Sequence, residues 1–194
     1  MKTNDSTVPN ACIALLISQV ALGCAGSDDA EAAGAEEMLA SSENAALLVY
    51  DEPYAPEMAG TPNPIPRTAT ATAEAFDVEG KLRIELTVRG FPVVRTFGSH
   101  LHKLPCDDPT KAGGHYQHMP FPTGGMASDP AYANASNEAW LDFTTDARGG
   151  AEIDLTVGWL PRPGEAQAII IHHMATGVGG VSGPKLACLP IIGF

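Results

Sequence analysis

Six histidines could do chemistry in this chain, and they fall in three close pairs: His100 and His102, His115 and His118, His172 and His173. No imidazole precedes His100 or follows His173. Imidazole nitrogen suits copper, zinc, iron and nickel, so the clustering points to a metal site. His100 and His102 lie two apart on an expected strand, so both rings face one side and can grip one ion. A solvated strand face with incidental histidines is the plain alternative. His172 follows Ile169-Ile-Ile171 and can join the same site. His173, adjacent to it, points to the other face and reads as a surface residue or as support. His115 and His118 sit in a loop, where spacing fixes nothing. Met119, Met126 and Met174 lie near histidines, and thioether sulfur suits Cu(I), though ordinary packing explains methionines equally well.

The surrounding elements read as β-structure. Leu82, Ile84, Leu86 and Val88 alternate with Arg83, Glu85, Thr87 and Arg89, and the same period of two runs from Ala151 to Trp159. Thr68–Phe76 forms another strand, joined to the first by a turn at Asp77-Val-Glu-Gly80. Asp146-Ala-Arg-Gly-Gly150 turns between Trp140–Thr145 and Ala151–Trp159. Ala46–Tyr50, Phe97–Leu104, Gln167–Met174 and Lys185–Ile191 complete about eight antiparallel strands, a sandwich or a closed barrel. Two irregular stretches interrupt them, Leu104–Asn137 and the Gly-rich loop Ala175–Pro184. Loops of that length in a compact β domain usually carry function, and the histidines lie in or beside them.

Composition limits the partners. The 194-residue chain carries a formal net charge of -12, with 11 Lys+Arg against 23 Asp+Glu, which excludes the basic footprint of a nucleic-acid binder. Few aromatics (6%) with 20 Gly and 16 Pro suit short strands and turns.

The N-terminus reads as an export signal over residues 1–23, with an apolar core from Ala11 to Gly23 too short to span a bilayer as a helix. Ala21-Leu-Gly-Cys24 resembles a bacterial lipoprotein processing site, which makes Cys24 the lipidated residue; an ordinary secretory signal is the alternative. Residues 24–45, rich in Ala, Glu, Asp, Ser and Gly, read as a flexible tether with at most a marginal helical turn at Glu36–Leu39. The domain is expected from Ala46 to Phe194. Cys106 and Cys188 remain as an even pair in an oxidising compartment. If they pair, the closed loop of about 80 residues contributes roughly 4–5 kcal/mol in the chain-entropy model; two buried thiols are the alternative.

The ordered set Gly98-Ser-His-Leu-His-Lys-Leu-Pro-Cys106, Ala112-Gly-Gly-His-Tyr116, Ile170-Ile-His172 and Lys185-Leu-Ala-Cys188 resembles the copper/zinc superoxide dismutase family, especially its exported bacterial branch. A single His-x-His is weak; the full series with two matching cysteines is specific and covers the whole expected domain. The resemblance implies an eight-stranded antiparallel Greek-key β-barrel or sandwich. It implies that His100, His102, His115 and His172 hold copper, with His115 at the position that bridges copper to zinc. It pairs Cys106 with Cys188. It implies disproportionation of superoxide to oxygen and hydrogen peroxide, with copper alternating between Cu(II) and Cu(I). Lys185 stands where the family usually has arginine, which keeps the charge that attracts the anion but not the planar donor fork.

The chain departs from the family at zinc. Between His115 and Trp140 it offers only His118 as a further imidazole, and Asn134–Ala139 lacks the family's ligand pattern. Asp107, Asp108 or Asp129 could substitute, although no spacing indicates it. The expectation is therefore copper without an ordinary zinc site, with His118 as support or as part of a makeshift second site. A copper-handling protein on the same fold, with little turnover, is the competing function, and a barrel that has lost its metal is a third. A cupin is set aside because no glutamate follows His102 before Glu138. A blue-copper site is set aside because neither cysteine has a nearby His and Met.

Overall fold

The computed structural model describes residues 36–42 and 45–194. The export signal and Cys24 lie outside the described residues. The described chain forms ten strands: β1 (Glu36–Ser41), β2 (Leu48–Tyr54), β3 (Thr70–Val78), β4 (Lys81–Arg89), β5 (Thr96–Phe97), β6 (Ser99–His102), β7 (Phe143–Thr144), β8 (Ala151–Val157), β9 (Ala168–His172) and β10 (Lys185–Pro190). Two four-stranded antiparallel sheets, in the orders β1-β3-β4-β8 and β2-β10-β9-β6, make a β-sandwich, with β5-β7 as a small third sheet. The all-β antiparallel expectation holds. The alternative of a closed barrel does not, because the sheets keep separate strand ladders.

The first sheet follows directly from alternation. Ala71, Ala73 and Ala75 on β3 pair with Val88, Leu86 and Ile84 on β4, and all six side chains are buried. Small alanines beside large aliphatics let this face sit close to the opposite sheet. The β3–β4 hairpin closes through Glu79 and Gly80, both at positive φ (56° and 79°), as a two-residue turn of type I′. Asp77 Oδ1 accepts the Gly80 N–H at 2.7 Å and offsets the strain of a glutamate in that position.

The second sheet holds the site. β6 and β9 are buried along their whole length, so β9 reads as a continuous Ala-Ile-Ile-Ile-His run instead of alternating. β6 does not form an open edge, because Leu141 N donates to Ser99 O at 2.7 Å and His100 bridges Trp140. The expected strand Phe97–Leu104 is broken at Gly98. Gly98 N donates to Met174 O at 2.7 Å, and a Cβ there would lie 2.5 Å from that oxygen, so only glycine permits the approach.

The expected tether ends earlier than Ala46. Glu36–Ser41 is a strand on the outer edge of β3, not a helical turn. Its polar sequence conceals this; pairing partners supply what apolar content does not. Arg83 Nη1 donates to Glu36 Oε1 at 2.8 Å, and Ser41 exchanges backbone hydrogen bonds with Ile192.

Candidate metal centre

Four of the six histidines meet. His100 and His102 come from β6, His172 from the end of β9, and His115 from the long loop after β6. Backbone bonds draw that loop alongside β6: Lys103 N donates to Gly114 O at 3.1 Å and Tyr116 N to Leu101 O at 2.8 Å. Tyr116, fully buried, anchors the segment, and its hydroxyl accepts the Arg162 N–H at 2.8 Å. The disulfide Cys106–Cys188 joins the same loop to β10. One potential ligand atom from each of His100, His102, His115 and His172 lies within 4.8 Å of the others.

Each ring has one nitrogen committed to a neighbour, and those neighbours assign the tautomers. His102 Nδ1 faces Gly113 O at 3.0 Å and His172 Nδ1 faces Gly183 O at 3.0 Å. A carbonyl only accepts, so both Nδ1 atoms carry the proton and both Nε2 atoms are bare. His115 Nδ1 donates to Glu138 Oε2 at 2.8 Å, leaving its Nε2 bare. His100 is reversed. Thr176 Oγ1 donates its single proton to Asp142 Oδ1 at 2.6 Å and accepts from His100 Nε2 at 2.6 Å. His100 Nδ1 is left buried with no hydrogen-bond partner among the described residues.

The bare Nε2 atoms of His102 and His172 face each other across 3.3 Å. Two lone pairs at that distance repel unless a cation lies between them. Protons are a poor answer here. Burial, followed by the neighbouring histidines, holds His100 and His102 well below the usual histidine range. Burial likewise brings His172 down to about 3. Neutral, desolvated and preoriented imidazoles are the form in which a metal is bound. The cluster can therefore hold a metal ion.

Glu138 is the functional residue that sequence reasoning missed. It is 1% exposed. Its Oε2 accepts from His115 Nδ1 and from Trp140 Nε1, both at 2.8 Å, and its Oε1 accepts from Gln117 Nε2 at 2.8 Å. Three donors compensate a buried charge that would otherwise be costly. Gly180 lets this pair pack: it sits at φ 70°, and a Cβ there would lie 3.2 Å from both Glu138 Oε2 and His115 Nδ1.

The remaining candidates lie elsewhere. His118 is exposed, its ring stacked on Trp159 at 5.2 Å and 9°. His173 is half-buried, and its backbone joins Pro184 and Arg95. Neither they nor Asp107, Asp108 or Asp129 enters the four-histidine group. Among the described residues no second group of three or more His, Cys, Asp or Glu side chains gathers at ligand distance. Lys185 Nζ donates to three carbonyls, those of Thr110 (3.0 Å), Lys111 (2.7 Å) and Gly113 (2.6 Å). Burial lowers its pKa to about 8, with Asp108 acting in the opposite direction. Met119, Met126 and Met174 are exposed, so core packing does not account for them.

No protein-family model and no curated protein matches the chain. The fold does have solved counterparts. The domain is similar to the crystal structure of the clock protein EA4, with a TM-score of 0.51 and 17% identity over 84% of this chain and 97% of that one. At that identity the likeness concerns the β architecture alone.

Proposed function

We propose that this protein is an exported superoxide dismutase acting at a copper ion held by His100, His102, His115 and His172. The observation that carries the reading is the gathering of four imidazoles with one ring nitrogen each within 4.8 Å of the others, and with the bare Nε2 atoms of His102 and His172 only 3.3 Å apart. An all-imidazole, carboxylate-free set suits copper in both oxidation states. Its order along the chain, with Cys106 and Cys188, is that of the copper/zinc superoxide dismutase family.

Bound copper would supply the one-electron redox chemistry by which one superoxide is oxidised to oxygen and the next reduced to hydrogen peroxide. The chain's own part is to orient the four rings. Thr176 and Asp142 fix the His100 ring; Gly113 O and Gly183 O fix His102 and His172. His115 is the ligand with solvent access, its side chain 18% exposed.

The disulfide fits an oxidising compartment, in keeping with export and a lipid anchor at Cys24. A copper-handling role with little turnover is the second reading. It is favoured by the exposure of Met119 (59%) and Met126 (70%), whose thioethers suit Cu(I). Superoxide decay followed with the copper-loaded full-length protein and its His172→Ala variant separates the two. A dismutase accelerates the decay and loses the effect with the substitution. Stoichiometric copper without acceleration above free metal leaves only the handling role.

A further inference from the structure

Met174 is exposed (48%), yet its side chain lies across Gly183. Gly183 stands at φ 73°, and a Cβ there would fall 2.8 Å from Met174 Cε and 3.7 Å from its Sδ. The thioether thus fills the space that a side chain at 183 would take. Gly183 O is the acceptor that fixes His172 Nδ1 at 3.0 Å. Met174 therefore covers the residue that orients one of the four imidazoles.

The backbone of Met174 closes the same junction. Met174 N donates to Ser182 O at 3.0 Å, and Gly98 N donates to Met174 O at 2.7 Å. His172 N in turn donates to Gly98 O at 2.8 Å. One residue so ties the Gly-rich loop, the break before β6 and the end of β9 together, with its sulfur on the outside.

Thioether sulfur is open to two-electron oxidation. With hydrogen peroxide, the sulfur attacks one peroxide oxygen. An S–O bond forms, the O–O bond breaks, and the departing hydroxide takes the proton from the transferred oxygen and leaves as water. Sulfur gives up two electrons and the peroxide gains them. The product is polar and chiral where the thioether was apolar and flexible, so it no longer suits a seat against the Gly183 backbone.

We propose that Met174 is a site of reversible oxidation by hydrogen peroxide, and that its sulfoxide loosens Gly183 and so weakens the hold of His172 on the metal. The inference deepens the proposed copper site, whose product is the oxidant. Peroxide that accumulates lowers metal retention, and reduction of the sulfoxide restores it.

The test treats the metal-free full-length protein with hydrogen peroxide, so that no bound copper drives the oxidation. The peroxide is then removed, peptide mass spectrometry locates the sulfoxide, and competition with a chelator gives the copper affinity. Sulfoxide at Met174 is expected, with affinity down about 10-fold. Methionine sulfoxide reductases for both epimers return it to the starting value. Met174→Leu, which keeps an apolar cover of similar volume, retains its affinity through the same treatment. An equal fall in Met174→Leu assigns the loss to Met119, Met126 or the histidines and overturns the proposal. Met174 left as the thioether while Met119 and Met126 convert, or converted with affinity unchanged, overturns it too. The expected behaviour in a protein without superoxide turnover upholds the oxidation site and removes the dismutase. A wild-type protein that takes up no copper overturns both.

Discussion

His102 and His172 come from separate strands, 70 residues apart in sequence, and point unprotonated Nε2 atoms at each other across 3.3 Å. A cation between them turns repulsion into two bonds. Metal uptake is therefore expected to stabilise the fold, because the unfolded chain has no such arrangement. Calorimetry should give a higher Tm for the copper-loaded protein than for the metal-free one. His102→Ala should lose stoichiometric copper by elemental analysis. A variant that retained one tightly held copper would show that His102 is not a ligand.

The Thr176–Asp142 pair fixes the His100 tautomer. Thr176→Val keeps the shape but removes the hydroxyl between two polar partners. Copper affinity is expected to fall about 10- to 100-fold, as for other losses of a group that orients a ligand. Competition with a chelator of known affinity measures it.

Glu138→Gln replaces an acceptor-only group with an amide whose NH₂ must face one of three buried donors. The expected cost is about 1–3 kcal/mol of stability, read from urea unfolding of the metal-free protein. A change in the Cu(II) EPR spectrum should accompany it, because His115 loses its fixed Nδ1 partner. Unchanged stability would mean that the three donors do not depend on the carboxylate for their hydrogen bonds.

Removing the disulfide by Cys106→Ser with Cys188→Ser frees a loop spanning 82 residues. A loss of about 4–5 kcal/mol is expected from the chain-entropy model, read as a shift in the urea midpoint of the oxidised parent against the double variant.

Acid should weaken the metal-free protein. His172 holds a pKa of about 3 when folded against 6.5 when unfolded, and His100 and His102 shift in the same direction. Between those values the unfolded chain binds protons that the native state refuses. Stability is thus full above about pH 6.5 and falls as pH drops toward 3. Copper should flatten this dependence above the pH at which it is released, a comparison that thermal melts across the range can make.

Much of the site could be read from the sequence because its main signals are local. His100-Leu-His102 gives two imidazoles on one strand face, and the Ile run gives a buried strand that ends on His172. The supporting groups could not be read this way. Glu138 meets His115 across 23 residues, and Thr176 reaches His100 across 76, contacts that only the folded loops create. Nothing around Glu138 distinguishes it from the chain's other acidic residues before Gln117, Trp140 and Gly180 close around it. β1 was hidden for another reason. It is an edge strand of largely exposed residues whose irregular register between Met38 and Ala40 erases the period of two.

The placement of β1 bears on how the molecule would carry load. A pull applied ahead of Glu36 would be taken first by the β1–β3 ladder and by the Ser41–Ile192 pair. The β1–β3 ladder belongs to the first sheet and β6 and β9 to the second, so traction on the N-terminal end would peel an outer strand before it reached the strands that carry His100, His102 and His172. Force entering through that edge would in this way be spent on a peripheral ladder while the histidine cluster kept its register.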